Sequence, residues 1–179
     1  HETIGSYFLP QLFKDFMPHS HLSFRLRHGF SRSVQLDIQQ GRTDVGIVVN
    51  PIPSPDLVIR TIATDEVCVW ESSETIQKNL PLFCNLGLNQ THVILKKWKT
   101  KPHSITEIEN LELIARLVQK GSGYGIIPKR LVDLLAFTKL RKVAGTPTYK
   151  DQFALVYRPE FGRHSEEKQL LEKIKLIFS

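Results

Sequence analysis

Cysteine, tryptophan and methionine are scarce in this chain, whose 179 residues hold two, two and one of them. Cys68 and Cys84 are too few for a disulfide framework. Each sits in an apolar segment, where a thiol behaves as a small hydrophobe, so two reduced core thiols are expected in preference to a redox pair. Long hydrophobic runs are missing as well. Stretches such as Val45 to Val49 fall far short of the roughly 20 apolar residues a membrane span needs. The chain opens on His1, without a starting Met and without the basic-then-apolar pattern of a signal peptide, so residue 1 is expected to be a boundary within a longer protein. Catalytic signatures are absent too: the sequence has no Gly-x-Ser-x-Gly elbow, no Walker A loop and no His-Glu-x-x-His zinc pattern. The seven histidines are scattered. Their one close pair, His19 and His21, lacks Cys or carboxylate neighbours and reads as a turn, not a metal site. No cofactor, metal or enzymatic activity is expected.

What is present describes an ordinary globular chain, 41% hydrophobic and 23% charged, long enough for one good core or two small lobes. The formal net charge of +6 invites a nucleic-acid reading, because basic proteins release counterions from phosphate backbones. The distribution argues against it. Arg25 and Arg27 alternate out of a strand pattern, Lys96, Lys97, Lys99 and Lys101 crowd one segment, and Lys168, Lys173 and Lys175 are interleaved with Glu166, Glu167 and Glu172. With no recognition motif beside them, they read as a solvated basic surface.

Periodicity supplies the elements. Ser6 can cap a helix carrying Phe8, Leu9, Leu12, Phe13 and Phe16, with Pro10 near its first turn and Pro18 as its stop. Residues 22–28 alternate apolar and polar, as a half-buried strand does. Ser31 or Ser33 can cap a short helix with Val34 and Ile38 on one face, Gly41 ends it, and Val45 to Val49 form an unbroken β-branched run. Strand, helix, buried strand is the grammar of a parallel α/β sheet. Pro51, Pro53 and Pro55 make the next stretch a surface loop. Residues 57–62 and 67–70 read as two strands around a turn near Thr64-Asp65. Residues 81–88 read as a strand, 90–98 as a helix, 103–108 as a strand and 111–120 as a helix. The Gly-rich segment from Gly121 leads into a helix through Leu131 and Leu134, and 140–143 and 152–157 close the strand count. Ser165 caps a last helix with Leu170, Leu171, Ile174, Ile177 and Phe178 on its apolar face.

Four motifs stand in fixed order: Ile4-Gly5-Ser6 leading into a helix with Pro10, a strand ending at His28-Gly29, Gly41-Arg42-Thr43-Asp44 before the apolar run, and Gly121-Ser122-Gly123-Tyr124-Gly125-Ile126-Ile127-Pro128. In that order they resemble the effector-binding domain of LysR-type bacterial transcription regulators, over nearly the whole chain. The resemblance implies the type 2 periplasmic-binding-protein fold, an α/β fold of two Rossmann-like lobes joined by a two-crossing hinge. Lobe I is then residues 1–71 and 150–179 and lobe II residues 72–149. The helix-turn-helix DNA-binding domain of such regulators is not among these residues. It further implies a cytoplasmic, non-catalytic module that senses a small polar or anionic effector in the interlobe cleft. Such a module self-associates as a dimer, or as a tetramer in the full-length protein, and reaches DNA only through the missing domain. The first helix, with more apolar residues than one buried face requires, and the strand at 22–28 are the expected dimer surface.

Physical chemistry points to a site of the same kind. In an α/β lobe, helix N-termini beyond the carboxyl ends of parallel strands offer free N–H groups and a positive dipole end to anions or carbonyl oxygens. The loops at residues 5–7 and 29–33 and the loop through Gly123-Tyr124 fit that description. Effector binding is expected at Ser6, Ser31, Gly123 and Tyr124, with Phe30 and Ser33 in the surrounding shell. The competing reading is structural: the serines only cap their helices, Tyr124 only fills lobe II, and Arg32 points to solvent. Gly121, Gly123 and Pro128 match the family's lobe II motif, where glycine permits positive φ and close backbone approach; Tyr124 replaces the usual aliphatic residue. Asn85, Asn89 and Gln90 are further candidates by position, and Trp70 reads as core. The alternative function is a stand-alone solute-binding receptor of a transporter with the same fold. An enzyme on this fold would need a nucleophile or acid–base pair that the sequence does not offer.

Overall fold

The computed structural model describes residues 2–16, 18, 20–75 and 79–178, and within the first helix the side chains of residues 5 and 8–16. The chain forms two compact units, His1–Thr64 with Gln152–Ser179, and Asp65–Asp151. It passes from one to the other inside two continuous strands.

Unit 1 holds α1 (Glu2–Phe16), α2 (Ser31–Gln39), β1 (Val45–Val49), the first part of β2 (Val58–Ser72), the last part of β7 (Tyr149–Tyr157) and α6 (Ser165–Phe178). Its strands lie in the order β1-β7-β2, with β1 and β7 antiparallel. The run Phe153-Ala154-Leu155-Val156-Tyr157 is apolar at every position because both its faces are covered. Phe153, Leu155 and Tyr157 pack with Leu12 and Phe16 of α1 and with Leu170, Leu171, Ile174 and Phe178 of α6. Ala154 and Val156 meet Val48, Leu57 and Ile38 on the α2 side. At the far end of α2, Nη1 of Arg158 donates to the carbonyls of Ile38 at 2.7 Å and Thr43 at 3.2 Å, satisfying the last turn from outside the helix.

Unit 2 holds β3 (Leu82–Cys84), α3 (Asn89–Lys97), β4 (Ile105–Glu107), α4 (Leu111–Gln119), β5 (Tyr124–Pro128), α5 (Lys129–Leu134) and β6 (Leu140–Lys142), with the remaining parts of β2 and β7. Its strands run β2-β5-β3-β4, with β6 pairing β2. β3 is parallel to both β4 and β5, and β5 is antiparallel to β2. Ile114, Val118, Leu131 and Val132 of α4 and α5 cover one face with Trp70 and Ile127, while Ile94 and Trp98 cover the other with Val69 and Leu82.

Several expectations change. α1 begins at Glu2, so Ser6 lies inside the helix instead of capping it, and Pro10 is interior. The apolar excess of α1 is packed: Leu12 and Phe16 are buried, Phe8 and Leu9 join the same cluster, and Phe13 sits edge-on to Phe24. Residues 22–28 belong to no ladder among the described residues. The strands expected at 57–62 and 67–70 are one strand, β2, because the Asp65 side chain that reads as a turn signal is turned inward. β3 stops after Cys84 because Oδ1 of Asn85 accepts the Gly87 N–H at 2.8 Å, a local turn that competes with the ladder. The Gly-rich segment does not lead straight into a helix; β5 intervenes.

Candidate functional site

The N-termini of α2, α3, α4 and α5 fall into two classes. α4 is closed by Asn110, whose Oδ1 accepts the Leu113 N–H at 2.8 Å. α5 is closed by Asp65, whose carboxylate oxygens lie 3.1 and 3.2 Å from the Arg130 N–H and which also accepts from Glu66 N–H at 2.8 Å. α2 and α3 have no such side chain: their N-caps are Phe30 and Leu88, both extended, and neither makes a side-chain capping bond. In α2 the first backbone donor to find a helical partner is Val34, bonded to the Phe30 carbonyl at 3.0 Å, so the amides of residues 31–33 are left over. In α3 the Thr91 amide is the first with a partner, at 3.1 Å from the Leu88 carbonyl. The two uncapped termini fall one in each unit.

Each also lies where its own unit meets the crossing strand. In unit 1, Ser31 Oγ accepts the Val49 N–H at 2.9 Å, and Val49 stands opposite Phe153, next to the first β7 residue of that unit. In unit 2, Nε2 of Gln90 donates to Oδ2 of Asp151 at 3.3 Å, and Asp151 is the last β7 residue of that unit. Asp151 and Thr91 are almost wholly buried. Phe30, at 62% exposure, presents its ring to solvent.

The expected site residues are thus distributed unevenly. Phe30, Ser31 and Ser33 come together at the α2 N-terminus, where Ser33 Oγ donates to the Phe30 carbonyl at 2.9 Å and neither serine is the cap. The side chain of Ser6 lies outside the described ones. Gly123 and Tyr124 form no helix N-terminus. They enter β5 from the α4 side, with Tyr124 beside Leu82, the first residue of β3, whereas the chain enters unit 2 at the other end of β5, where Val67 pairs with Pro128. Gly123 is required there by proximity: a Cβ would stand 2.5 Å from the Pro81 carbonyl oxygen and 2.6 Å from the Phe83 ring. The positive φ of the motif belongs to Gly121, at 77°. Tyr124 packs edge-on to Trp98, with centroids 6.4 Å apart, and its N–H donates to the Pro81 carbonyl at 2.8 Å. Asn85 is occupied by Gly87 and by the Glu109 carbonyl, to which its Nδ2 donates at 2.8 Å. The pairing of Gln90 with Asp151 escaped the sequence reading, because nothing in either residue's neighbourhood announces a partner so far along the chain.

The thiols take no part. Cys68 packs with Trp70 and Ile127 and Cys84 with Val69 and Leu82, on opposite faces of a sheet in which β5 lies between their strands. Burial pushes each thiol up to about 11, which suppresses the thiolate needed for exchange. Among the described residues no group of three or more His, Cys, Asp or Glu is placed to hold a metal ion, and no helix is long and apolar enough to cross a membrane.

The LysR substrate binding domain family matches residues 1–175. No curated protein matches the sequence. Among solved structures, the reduced OxyR regulatory domain of Pseudomonas aeruginosa is 18% identical, with TM-score 0.72 over 99% of this chain and 92% of that one. The reduced regulatory domain of OxyR2 from Vibrio vulnificus is also 18% identical, with TM-score 0.70 over 98% and 91%. Full-length LysG from Corynebacterium glutamicum with bound effector Arg is 10% identical, with TM-score 0.73 over 97% of this chain and 64% of that one. The OxyR and OxyR2 neighbours are regulatory domains, and all three structures share the open α/β fold described above. With a match that runs over nearly all of its length, the chain belongs to the LysR substrate-binding domain family.

Proposed function

We propose that this chain is the sensory domain of a cytoplasmic LysR-type transcription regulator, that its two units act as the lobes around an effector cleft, and that the effector carries a carboxylate or a comparable anionic or carbonyl group. The observation that carries the reading is the pair of uncapped helix N-termini, α2 in unit 1 and α3 in unit 2, each at the end of its unit where β7 crosses. Free N–H groups at a helix start, with the dipole's positive end, hold negative charge without a dedicated Arg or Lys. On unit 1 the amides of residues 31–33, the Ser31 and Ser33 hydroxyls and the Phe30 ring supply the contacts, and Ser6 is kept as an expected contact from the sequence. On unit 2 the weight shifts from Gly123 and Tyr124 toward Asn89 and Gln90. Ser31 Oγ accepts from Val49 and keeps its own proton to donate. The LysG neighbour is described with Arg bound as effector, which supports a small-molecule ligand for the family. Dimerisation, and contact with DNA through a separate domain, belong to the same reading.

A thermal-shift screen of metabolites tests it. A ligand at 100 times its Kd that binds only the folded state adds about 2.7 kcal/mol of stability. Shift mapping should then move the amides of residues 31–33 and 89–90 together. A ligand that moves neither set refutes the assignment.

A further inference from the structure

Unit 2 gathers five unpaired lysines at one end. β3 runs parallel to both β4 and β5, so the starts of these three strands lie together, and the last turns of α3 and α4, which lead into β4 and β5, come to the same end. Lys96 and Lys97 close α3, Lys99 and Lys101 follow in the loop before β4, and Lys120 is the C-cap of α4. All five are exposed. Elsewhere in the unit Arg116, Lys129, Lys139, Arg141 and Lys142 each face a carboxylate. The five lysines at this end belong to no ion pair among the described residues.

The acids of the unit are kept away from them. The sequence between Glu74 and Glu107 holds no Asp or Glu, and the acids that follow, Glu107, Glu109 and Glu112, stand at the far end of β4 and in the start of α4. The helix dipole accounts for lysines on the last turns of α3 and α4. It does not account for Lys99 and Lys101, which lie beyond the helix. Trp98, between Lys97 and Lys99, is buried and edge-on to Tyr124, so these lysines are displayed from an anchored segment. Like charges gathered within a Debye length repel one another and lower the stability of the fold; a polyanion laid across them removes that cost.

We propose that this end of unit 2 is a docking surface for the phosphate backbone of double-stranded DNA, contacted without regard to sequence. Lysine is a flexible point charge without the planar fork of arginine, and five of them on helix ends and a loop suit phosphates, each contact releasing condensed counterions. An acidic protein partner would need an apolar centre as well. Of the exposed large hydrophobics in the unit, Ile105, Leu113 and Leu134, only Ile105 stands at a strand start. The surface is separate from the candidate effector site, because α3 turns its uncapped start to one end of the unit and Lys96 and Lys97 to the other. In the regulator proposed above a separate domain brings the chain to DNA, and this surface adds a second, sequence-independent contact. Along the chain Lys120 stands apart from the other four; the parallel strands bring it to them.

Fluorescence anisotropy of a short mixed-sequence DNA duplex titrated with the 179-residue chain tests the proposal. Each phosphate contact lowers log K by about 0.9 per unit of log salt, so five contacts imply a loss of about 500-fold in affinity between about 50 and about 200 mM salt. Replacing Lys97, Lys99 and Lys101 together with Gln should leave a loss of about 12-fold over the same range. Lys150→Gln, Arg163→Gln and Lys168→Gln, which remove the same charge at exposed positions elsewhere, should leave the slope as it is. The single Lys99→Gln variant, expected to reduce the loss by about 3.5-fold, decides the matter where a triple variant does not fold. Absence of binding at about 50 mM salt overturns the proposal. So does an equal change in both triple variants, because attraction then follows net charge and not this end of unit 2. Tighter binding of polyglutamate than of the duplex at equal salt overturns it as well, and makes the partner an acidic protein.

Discussion

The two ends of unit 2 are finished in opposite ways. At the end where β5 begins, glycine and tyrosine are packed shut: Gly123 has no room for a methyl group and Tyr124 leans on Trp98. At the end where β3 stops, α3 starts with no capping side chain and with Gln90 joined to a buried Asp151. The same contrast separates α4 and α5, closed by Asn110 and Asp65, from α2 and α3. A helix start left without a cap in an otherwise well-satisfied fold sacrifices stability that Ser, Asp or Asn would readily supply. The difference teaches that the closed ends hold the fold, whereas the uncapped ends leave backbone N–H groups without a side-chain partner.

The largest expected effect is at the packed end. Gly123→Ala forces a Cβ against the Pro81 carbonyl oxygen at 2.5 Å and should cost about 3 kcal/mol in urea unfolding, at the upper end for overpacking. A loss below about 1 kcal/mol would mean that this end yields easily, and would restore it as a candidate ligand loop. Next, Asp65→Ala uncaps α5 and should cost about 2 kcal/mol. Its charge has a separate signature. Burial holds the Asp65 carboxyl above its ordinary 3.8, against backbone N–H bonds that pull it down. A carboxyl raised in the folded state favours folding when protonated, so its contribution is full below pH 3.8 and is lost as pH rises through the raised value. Asp65→Asn, which keeps an oxygen acceptor, should flatten that part of the stability–pH curve. A curve unchanged by Asp65→Asn would show that the carboxyl titrates as it does in the unfolded chain.

Asn110→Ala removes a surface cap and should cost about 1 kcal/mol, with effector affinity unchanged. The smallest effect separates the two classes most sharply. Ser33→Ala should alter stability by less than about 0.5 kcal/mol, since its hydroxyl only returns to the Phe30 carbonyl at an exposed position, yet weaken effector binding measured by calorimetry. Equal affinity in both proteins would remove Ser33 from the site.

Much of this was legible in the sequence because it is periodic or local. The spacing of Leu111, Ile114, Ala115 and Val118, the unbroken run at β1 and the apolar face of α6 each state a covered surface within a few residues. The capping serines were misread for a related reason. Ser31 and Ser33 have the chemistry of caps, but Phe30 occupies the N-cap position and Ser31 turns its oxygen to a strand 18 residues away. Asp65 read as a turn residue and instead caps a helix 65 positions further along. Residues 22–28 alternate as a strand should, but alternation specifies a face, and a ladder needs a neighbour that no local pattern can promise.

Sequence by itself determined the class of each covered segment, the absence of catalytic motifs and, through the order of its glycine motifs, the family, because period, φ tolerance and side-chain chemistry are properties of neighbouring residues. Tertiary structure alone decided which helix starts are closed, which end of β5 is packed, and that Cys68 and Cys84 lie on opposite faces of the sheet. Those outcomes depend on partners brought together across tens of residues by burial of apolar surface, which is non-directional and leaves no mark at either partner's place in the chain.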